Sequence, residues 1–510
     1  MQKKWVRMLF RRRVAVIFML VLQAALMVYM VYSSSRTYKG LYYFLYVMSL
    51  VVVLYVISTG SRSSSKLLWS VTILSFPLFG GLLYLLVKWQ GFTTSFKRRL
   101  AEANEAAKPL LQQDKTVLLA MEEAAPDYAR QSYYLTQTCG CCAYADNGTS
   151  YLSPGEKKYE KLIWALGQAE RFIFLEYFII QEGKFWDDIL DILTEKAKNG
   201  VDVRVIYDDM GCFMLLPIDY QKTLSARGIR CVVFNKFRPV LSTLQNNRDH
   251  RKIAVIDGKF AFTGGINLAD EYINAYAKHG HWKDASVMVS GAAVNSYTLM
   301  FLEMWQTLTS EKENFADYIV AAEDPQPLTK GFIIPYCDSP IDDEDVGERV
   351  YMNLINGAQD YVYIQTPYLI IDDVMLAALI RAAKNGVDVR IVTPHVPDKW
   401  YVHMTTRSFY PDLLAGGVKI YEYTPGFIHS KVLVSDDRIA TVGTINFDCR
   451  SLYLHFECGA WLFDSPAVTE IREDFMKTLE SCGLVTEKDC KTNVCKRLVQ
   501  RMFRLFAPLM

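Results

Sequence analysis

The sequence predicts an α/β protein: two homologous α/β sandwich halves form one bilobal body, preceded by N-terminal transmembrane helices. Three observations support this fold class. The chain of 510 residues is too long for one hydrophobic core, three apolar runs precede residue 97, and the remainder repeats itself. The predicted order is a membrane anchor at 1–96, a polar linker at 97–155, a first half at 156–320, a second half at 321–482 and an amphipathic tail at 483–510.

Three apolar segments, at 14–32, 41–58 and 67–87, are each close to the length that crosses about 30 Å of hydrocarbon. The first could instead be a signal peptide, but its apolar run exceeds the usual length of about 7 to 15 residues, and further apolar segments follow it. We therefore expect a multi-pass protein of the cell membrane.

The basic residues that flank these segments predict a cytoplasmic location both for the N-terminus and for the chain after residue 87, which three full crossings cannot satisfy. Pro77 and the pair Gly80 and Gly81 interrupt the third segment, so one segment is expected to be re-entrant or to lie on the surface.

Cysteine usage favours a reducing compartment, and hence a cytoplasmic body, because the eleven cysteines are odd in number and scattered. Cys139, Cys141 and Cys142 form a local cluster, but no second pair follows with the spacing of a zinc finger. Free thiols are the favoured interpretation, with zinc as the alternative.

The internal repeat is visible in two pairs of segments. Residues 172–180 (FIFLEYFII) match 361–369 (YVYIQTPYL), and 199–205 (NGVDVRV) return as 385–391 (NGVDVRI). In each half an apolar strand leads to an amphipathic helix, a glycine turn and a second strand, which is typical of a mainly parallel sheet. A site at the junction of the halves is expected.

Both halves contain the pattern His-x-Lys followed by four residues and Asp. The glycine turn after it ends in Asn, 17 residues after the His in both copies. The residues that share this layout are His250, Lys252, Asp257 and Asn267 in the first half, and His429, Lys431, Asp436, Thr444 and Asn446 in the second.

A strand that carries His and Lys two positions apart presents both on one face. Two such edges would surround a phosphodiester with imidazoles, ammonium groups and amides, which stabilises its charge without a metal. The sequence has no clustered Asp, Glu and His motif of a metal site, so no metal and no cofactor are expected. One imidazole would attack phosphorus and the other would transfer protons, giving a covalent phosphohistidine.

A neutral imidazole needs an acceptor for its second nitrogen, and Asp284 and Glu457, at matching points before a later strand, are the candidates. The alternative is that both are solvated charges at strand starts. Asp257 and Asp436 each precede a turn, so they either orient the site or cap that turn.

The duplicated motif resembles the signature of the phospholipase D superfamily over about residues 155–480. Within it, HRKIAVIDGKFAFTGGINLADEY, the HWKD box, IQTPYL and the C-terminal RLFAPLM resemble the bacterial cardiolipin synthases. The resemblance implies phospholipase D-type halves in a bilobal catalytic body, and its paired triplets fall on His250, Lys252 and Asp257 and on His429, Lys431 and Asp436. It also implies that His250 is the nucleophile and His429 the acid. We expect Asn267, Asn446, Thr444, Asp284 and Glu457 to bind substrate.

The resemblance further implies that two phosphatidylglycerol molecules exchange a phosphatidyl group to give cardiolipin and glycerol, so the partners are phosphatidylglycerol, other membrane phospholipids and an anionic bilayer. Basic and apolar residues alternate over 494–509, so this tail either lies on that bilayer or packs on the catalytic body. A hydrolytic phospholipase D is the first alternative. A nucleic-acid phosphodiesterase is disfavoured by the net charge of +1, and a scaffold with a decayed site by the intact motifs.

Overall fold

The structure is a computed structural model that describes residues 36–60, 63–77, 79–88, 94–145, 148–236, 247–320, 331–342 and 344–509. These residues fall into two compact units. Of the described residues, one unit contains 36–88 and Leu505–Leu509, and the other contains Thr94–Lys236 and Asn247–Arg504.

The N-terminal unit is helical, with α1 at Arg36–Ser58, α2 at Ser63–Ser75 and α3 at Phe79–Lys88. Its small core consists of Val53, Val56, Ile73 and Tyr84. The predicted segment 67–87 is not one continuous span, because the chain leaves the helix before Pro77, whose ring cannot donate a helical hydrogen bond.

Two of the three segments predicted to cross the membrane fall on the helices α1 to α3. Among the helices of the described residues, none combines the length and the apolar character needed to cross a membrane. The segment 41–58 lies within α1. The predicted segment 14–32 lies outside the described residues.

The second unit contains the α/β fold. Its helices are α4 Thr94–Ala107, α5 Lys115–Ala124, α6 Pro126–Tyr133, α7 Gly155–Gly167, α8 Lys184–Lys198, α9 Asp209–Cys212, α10 Tyr220–Ser225, α11 Val294–Thr309, α12 Val346–Gly357, α13 Asp373–Lys384, α14 Trp400–Thr406, α15 Tyr410–Ala415, α16 Cys449–Leu454, α17 Pro466–Leu479 and α18 Val494–Leu505. Its strands are β1 Tyr144–Ala145, β2 Ser150–Leu152, β3 Phe172–Tyr177, β4 Asp202–Asp208, β5 Arg230–Phe234, β6 Arg248–Asp249, β7 Lys252–Ile256, β8 Phe260–Gly264, β9 His281–Lys283, β10 Ser286–Ser290, β11 Phe332–Asp338, β12 Tyr361–Gln365, β13 Leu369–Ile370, β14 Asp388–Pro394, β15 Lys419–Tyr423, β16 Gly426–Ile428, β17 Val432–Ser435, β18 Ile439–Gly443, β19 Phe447–Asp448, β20 His455–Phe463 and β21 Cys482–Leu484.

The sheet of the first half has the order β2-β10-β8-β7-β3-β4-β5. Only β3, β4 and β5 are parallel, with α8 and α10 in the crossovers, whereas β7, β8 and β10 run antiparallel to their neighbours. The expectation of a mainly parallel sheet is therefore wrong. The reason is that β7 and β8 follow each other in the chain and form a hairpin. The motif strand β7 therefore pairs with an antiparallel neighbour.

The second half repeats this plan in a sheet ordered β1-β11-β20-β18-β17-β12-β14-β15-β21. The strands β12, β14 and β15 are parallel, and β17 and β18 form the hairpin that corresponds to β7 and β8. The motif strands β7 and β17 thus occupy equivalent central positions, next to β3 and β12.

The stretch 97–155 is not a linker in the structure. The helix α4 buries Phe96, Leu100, Ala103 and Ala107, and it packs along α11. The strand β1 pairs with β11, and β2 pairs with β10. The apolar side chains of α4 recur at helical spacing among charged residues, so the polar composition reflects an amphipathic surface helix.

Each half lends one short strand to the other. The strand β6 of the first half pairs in parallel with the start of β20, and β9 of the first half pairs in parallel with β16 of the second. These two exchanged pairs join the halves, and a motif histidine directly follows one strand of each pair.

Candidate active site

The two motif histidines occupy equivalent places at the ends of the exchanged strands. The backbone N–H of His250 donates to the carbonyl of Phe456 at 2.9 Å, and that of His429 donates to the carbonyl of Lys283 at 2.7 Å. Both side chains are buried, with residue exposures of 7% and 6%. The backbone of the opposite half therefore fixes the position of each motif histidine.

A carboxylate from the opposite half also holds each ring. Glu457 lies on β20, and both of its oxygens are 2.9 Å from Nδ1 of His250. Asp284 directly follows β9, and its Oδ2 is 2.7 Å from Nδ1 of His429. An ionised carboxylate only accepts, so Nδ1 carries the proton and the lone pair of each neutral ring is on Nε2.

The two lysines contact the histidines differently. Nζ of Lys252 donates to the carbonyl of His250 at 2.5 Å. Nζ of Lys431 also donates to the carbonyl of its histidine, and in addition lies 2.9 Å from Nδ1 and 3.0 Å from Nε2 of His429. Only the second of these lysines thus has its ammonium group beside a reactive imidazole nitrogen.

Burial shifts the pKa values of all four groups downward. Burial and then the neighbouring lysines hold the pKa of His250 well below its usual value, and burial and Lys431 lower the pKa of His429 to about 4. Burial lowers the pKa of Lys252 to about 8 and that of Lys431 to about 7. Both rings are therefore neutral near pH 7, and the cationic charge of the site resides on the lysines.

The residues of the glycine turns are held in internal hydrogen bonds. Thr444 donates its hydroxyl to Glu457 and accepts from the N–H of Cys458 at 3.0 Å. Asn267 accepts from the N–H of Ile179 at 3.0 Å and donates to Tyr272 at 2.8 Å. Thr444 therefore orients the carboxylate that orients His250.

Asn446 differs from its counterpart in the first half. Its amide nitrogen donates to Ser451 at 3.0 Å, while its Oδ1 is buried without a hydrogen-bond partner in the part of the chain that the structure describes. Of the five residues expected to bind substrate, Asp284 and Glu457 hold the imidazoles, Thr444 holds Glu457, and both polar ends of Asn267 are hydrogen-bonded within the protein. Contact between substrate and any of the five stays a prediction.

The motif aspartates lie away from the imidazoles. Asp257 accepts three backbone N–H bonds of 2.8 Å from residues 170–172, and Asp436 accepts three of 2.9 Å from residues 359–361. Each is separated from its motif lysine by the length of a strand, about 16 Å for five residues. In the structure they fix the start of the neighbouring strand, and their predicted catalytic role stays a prediction.

His455 was not expected in the site. It begins β20, and the centroid of its ring is 5.4 Å from that of His250. Both ring nitrogens are buried without a hydrogen-bond partner among the described residues, and the closest approach to Glu457 is 3.5 Å. The available signal was its position two residues before Glu457, which places both side chains on one face of the strand.

Comparison with known proteins agrees with this geometry. Residues 162–305 and 351–479 match the family described as "Cardiolipin synthase, PLD-like domain", with one match in each half. Residues 44–89 match a family described as "Phospholipase D-nuclease N-terminal".

The chain belongs to the phospholipase D-like cardiolipin synthase family.

Relatives over nearly the whole chain support this assignment. A cardiolipin synthase of Geobacillus kaustophilus is 32% identical over 92% of this chain and 94% of its own length. A protein of Streptococcus mutans described as uncharacterized is 44% identical over 90% of this chain and 99% of its own length. Membership therefore extends beyond the two motif regions.

A solved structure shows the same fold at low sequence similarity. The phosphatidylserine synthase of Haemophilus influenzae aligns with a TM-score of 0.58 and 15% identity, covering 74% of this chain and all of that chain. Two phospholipase D-like halves in a mixed α/β fold are thus present in this protein.

Proposed function

We propose that this chain is a cardiolipin synthase that converts two phosphatidylglycerol molecules to cardiolipin and glycerol through a phosphatidyl-histidine intermediate. The observation that carries the proposal is the reciprocal geometry of the site. Each imidazole has Nδ1 on a carboxylate of the opposite half, and, besides burial, Lys252 and Lys431 both lower the pKa of both rings, so the two imidazoles and the two lysines act on one another in a site that requires both halves. Names and similarity of the relatives support the same activity.

In the first step, Nε2 of His250 attacks the phosphorus of phosphatidylglycerol. A P–N bond forms, the P–O bond to the glycerol headgroup breaks, and the departing glycerol oxygen takes a proton that Nε2 of His429 relays from the ammonium group of Lys431. Lys431 supports this order of roles, because its ammonium group beside Nε2 of His429 stores a proton where a general acid needs one. Glu457 stabilises the charge that develops on the ring of His250.

In the second step, the headgroup hydroxyl of another phosphatidylglycerol replaces the departed glycerol. His429 removes the hydroxyl proton and passes it back to Lys431, the oxygen attacks phosphorus, and the P–N bond to His250 breaks. The products are cardiolipin and a neutral His250, ready for the next cycle. The transfer is thus divided into two steps. In each step one imidazole is the nucleophile or the leaving group, and the other carries the proton.

The lysines stabilise the phosphoryl oxygens. Lys252 and Lys431 are both buried, at 0% and 1% exposure, so their charge acts on a bound phosphodiester with little screening by water. Their lowered pKa values reflect the cost of holding two ammonium groups in a dry pocket, and a bound phosphodiester anion offsets that cost. The pocket therefore favours an anionic substrate.

Membrane attachment is the second part of the proposal: the apolar N-terminal segments make the chain a multi-pass protein of the cell membrane, with its catalytic body in the cytoplasm. The helix α18 supports an additional contact with an anionic bilayer. It has no acidic residue, none of its residues is buried, and Leu498 and Met502 are 65% and 54% exposed on one face beside Lys496, Arg497 and Arg501.

The activity is tested with purified full-length protein in phosphatidylglycerol vesicles without divalent metal. Cardiolipin and glycerol formed in equal amounts are expected. Phosphatidic acid as the only product would contradict the proposal and favour a hydrolytic phospholipase D, in which water accepts the phosphatidyl group. His395→Gln, which changes a half-exposed histidine outside the site, is the matched control and should retain the activity.

The bilayer contact is tested separately with the double variant Leu498→Glu/Met502→Glu. Its rate should fall on vesicles but not in detergent mixed micelles, where no bilayer has to be engaged. Leu484→Glu, at another exposed leucine, is the control. Equal rates of wild type and double variant on vesicles would exclude a role for α18 at the bilayer.

A further inference from the structure

Three potential metal ligands converge on one side of His250. One ring nitrogen of His250, one ring nitrogen of His455 and a carboxylate oxygen of Glu457 lie within 4.8 Å of one another. Nδ1 is the nitrogen of His250 that contacts Glu457, at 2.9 Å. All three side chains are buried, with exposures of 7%, 7% and 0%. Two imidazole nitrogens and one carboxylate oxygen form a donor set that suits Zn²⁺.

The symmetry of the site shows that His455 is an addition and not a requirement of the repeat. The exchanged pairs align Asp249 with Phe456 and Ile428 with Lys283, so the position before Phe456 corresponds to the position before Lys283. That position is His455 beside His250 and Trp282 beside His429, each with ring centroids 5.4 Å apart. A third donor is thus present beside one reactive histidine alone.

The side chain of His455 has only a long contact that would account for a buried imidazole. Its Nδ1 lies 3.5 Å from Glu457, whereas Glu457 is 2.9 Å from His250 and also accepts from Thr444, so neither nitrogen of His455 makes a hydrogen bond of good geometry within the described residues. Leaving a buried polar group unsatisfied destabilises the folded protein. A ligand that binds both His455 and Glu457 would remove this destabilisation.

We propose that His250, His455 and Glu457 form a zinc-binding site through which Zn²⁺ reversibly inhibits the transferase. The inhibitory effect rests on the function proposed above, whereas zinc binding itself does not. A hard cation such as Mg²⁺ prefers an all-oxygen octahedral set and does not fit two imidazoles.

The inhibition follows from the tautomer of His250. In the free site Nδ1 carries the proton and Nε2 has the lone pair that attacks phosphorus. Zinc takes the lone pair of Nδ1, so the ring releases its proton from Nδ1 to solvent and takes one up at Nε2, which gives the other neutral tautomer. That nitrogen can no longer form the P–N bond, and Glu457, as a zinc ligand, no longer accepts from His250.

Zinc binding is tested first by a readout that does not depend on turnover. Full-length protein in detergent is titrated with Co²⁺ as a spectroscopic substitute for Zn²⁺. The visible absorption of a tetrahedral Co²⁺ centre should appear, and Zn²⁺ should displace it. His455→Phe, which keeps a ring of similar size without a ligand, should abolish the absorption. If that variant fails to fold, His455→Asn replaces it.

The matched control is the double variant His395→Gln/His403→Gln. These two histidines lie near Glu422, at 2.9 and 4.0 Å, and form another set of the same composition in the second half. The absorption should persist in this variant. Loss of the absorption in the control, or its persistence in His455→Phe, would overturn the proposed site.

Inhibition is then measured as the free Zn²⁺ concentration that halves the rate of cardiolipin formation, each variant being normalised to its own rate without metal. His455→Phe should raise this concentration at least about tenfold, EDTA should restore the rate, and Mg²⁺ should not inhibit. Equal zinc sensitivity of wild type and His455→Phe would overturn the inhibitory role. Absence of any turnover with the Co²⁺ result intact would refute the proposed function but support the site.

Discussion

The two halves of the catalytic body share one plan but differ in what surrounds each histidine. In both, a motif His follows an exchanged strand pair and is held through Nδ1 by a carboxylate of the opposite half. Lys431, however, reaches the ring of His429, whereas Lys252 reaches only the backbone of His250. Duplication preserved the positions of the reacting groups, and the differences assign distinct roles to two otherwise equivalent imidazoles.

A second difference concerns the carboxylates. Both oxygens of Glu457 contact Nδ1 of His250, and Glu457 accepts a further hydrogen bond from Thr444. Asp284 contacts Nδ1 of His429 through one oxygen. Gly265 occupies the place of Thr444 in the first half, and a Cβ there would lie 2.1 Å from Asp284. The shorter carboxylate therefore requires glycine beside it, and the longer one leaves room for a hydroxyl.

The largest expected effect is the loss of either imidazole. His250→Ala and His429→Ala should each lower the rate of cardiolipin formation by at least about 10⁴-fold, because each removes a group used in both steps. A phosphatidyl ester of nitrophenol distinguishes the roles of the two histidines, because its departing group needs no proton. His429→Ala should release nitrophenol from it in one turnover, and His250→Ala should not. Release by His250→Ala would reverse the assigned roles.

Neutralising the carboxylates is expected to have the next largest effect. Glu457→Gln and Asp284→Asn should each lower kcat by about 10²- to 10⁴-fold, because an amide can donate to Nδ1 and so stabilise the wrong tautomer. Thermal unfolding checks that both variants remain folded. A decrease of less than threefold in either variant would show that its carboxylate does not orient the ring.

The pH dependence of kcat/KM tests the difference between the lysines. Lys431, with a pKa lowered to about 7, and Lys252, with a pKa lowered to about 8, lose their protons as pH rises, so kcat/KM should fall above about pH 7. Protonation of the nucleophile His250, whose pKa is held well below its usual value by burial and by the neighbouring lysines, should produce the acidic limb. Lys431→Arg should move the basic limb upward. An unchanged basic limb in that variant would contradict the assignment.

The smallest effect on activity is expected at the motif aspartates. Asp257→Ala and Asp436→Ala should lower the free energy of unfolding by about 2–4 kcal/mol, because each leaves three backbone N–H groups without their acceptor and puts Ala at positive φ. Asp257→Asn, which tolerates that conformation, should cost less. The folded fraction of each should retain kcat within about threefold. A large fall in kcat at unchanged stability would support a catalytic role.

Spacing and repetition in the sequence predict the reactive pairs well. The strand period places His and Lys on one face, and the second copy identifies the partner set. They do not reveal that Glu457 holds His250 and that Asp284 holds His429. These contacts depend on the pairing of β6 with β20 and of β9 with β16. Backbone hydrogen bonds make both pairs, and they leave no side-chain pattern in the sequence. The composition of 97–155 likewise did not indicate α4, whose four buried residues are widely spaced among charges.

His455 and the motif aspartates show two limits of comparing the halves: a site residue that does not repeat, and repeated residues that hold a turn. His455 has no counterpart in the repeat, so comparison of the halves gave no signal for it, and only the fold places it beside His250. Asp257 and Asp436 repeat as faithfully as the histidines, but their repetition reflects a turn that both halves need. Repetition therefore identifies shared constraints without distinguishing chemistry from architecture.

The most direct test of a covalent mechanism with unequal imidazoles is to locate the phosphatidyl group on the enzyme. Wild type and His429→Ala are reacted with the nitrophenyl ester, quenched at high pH, where a P–N bond to histidine survives, and digested for peptide mass spectrometry. The account predicts a phosphatidyl adduct on His250, accumulating in His429→Ala. An adduct on His429 in the wild type, or none in either protein, would contradict it.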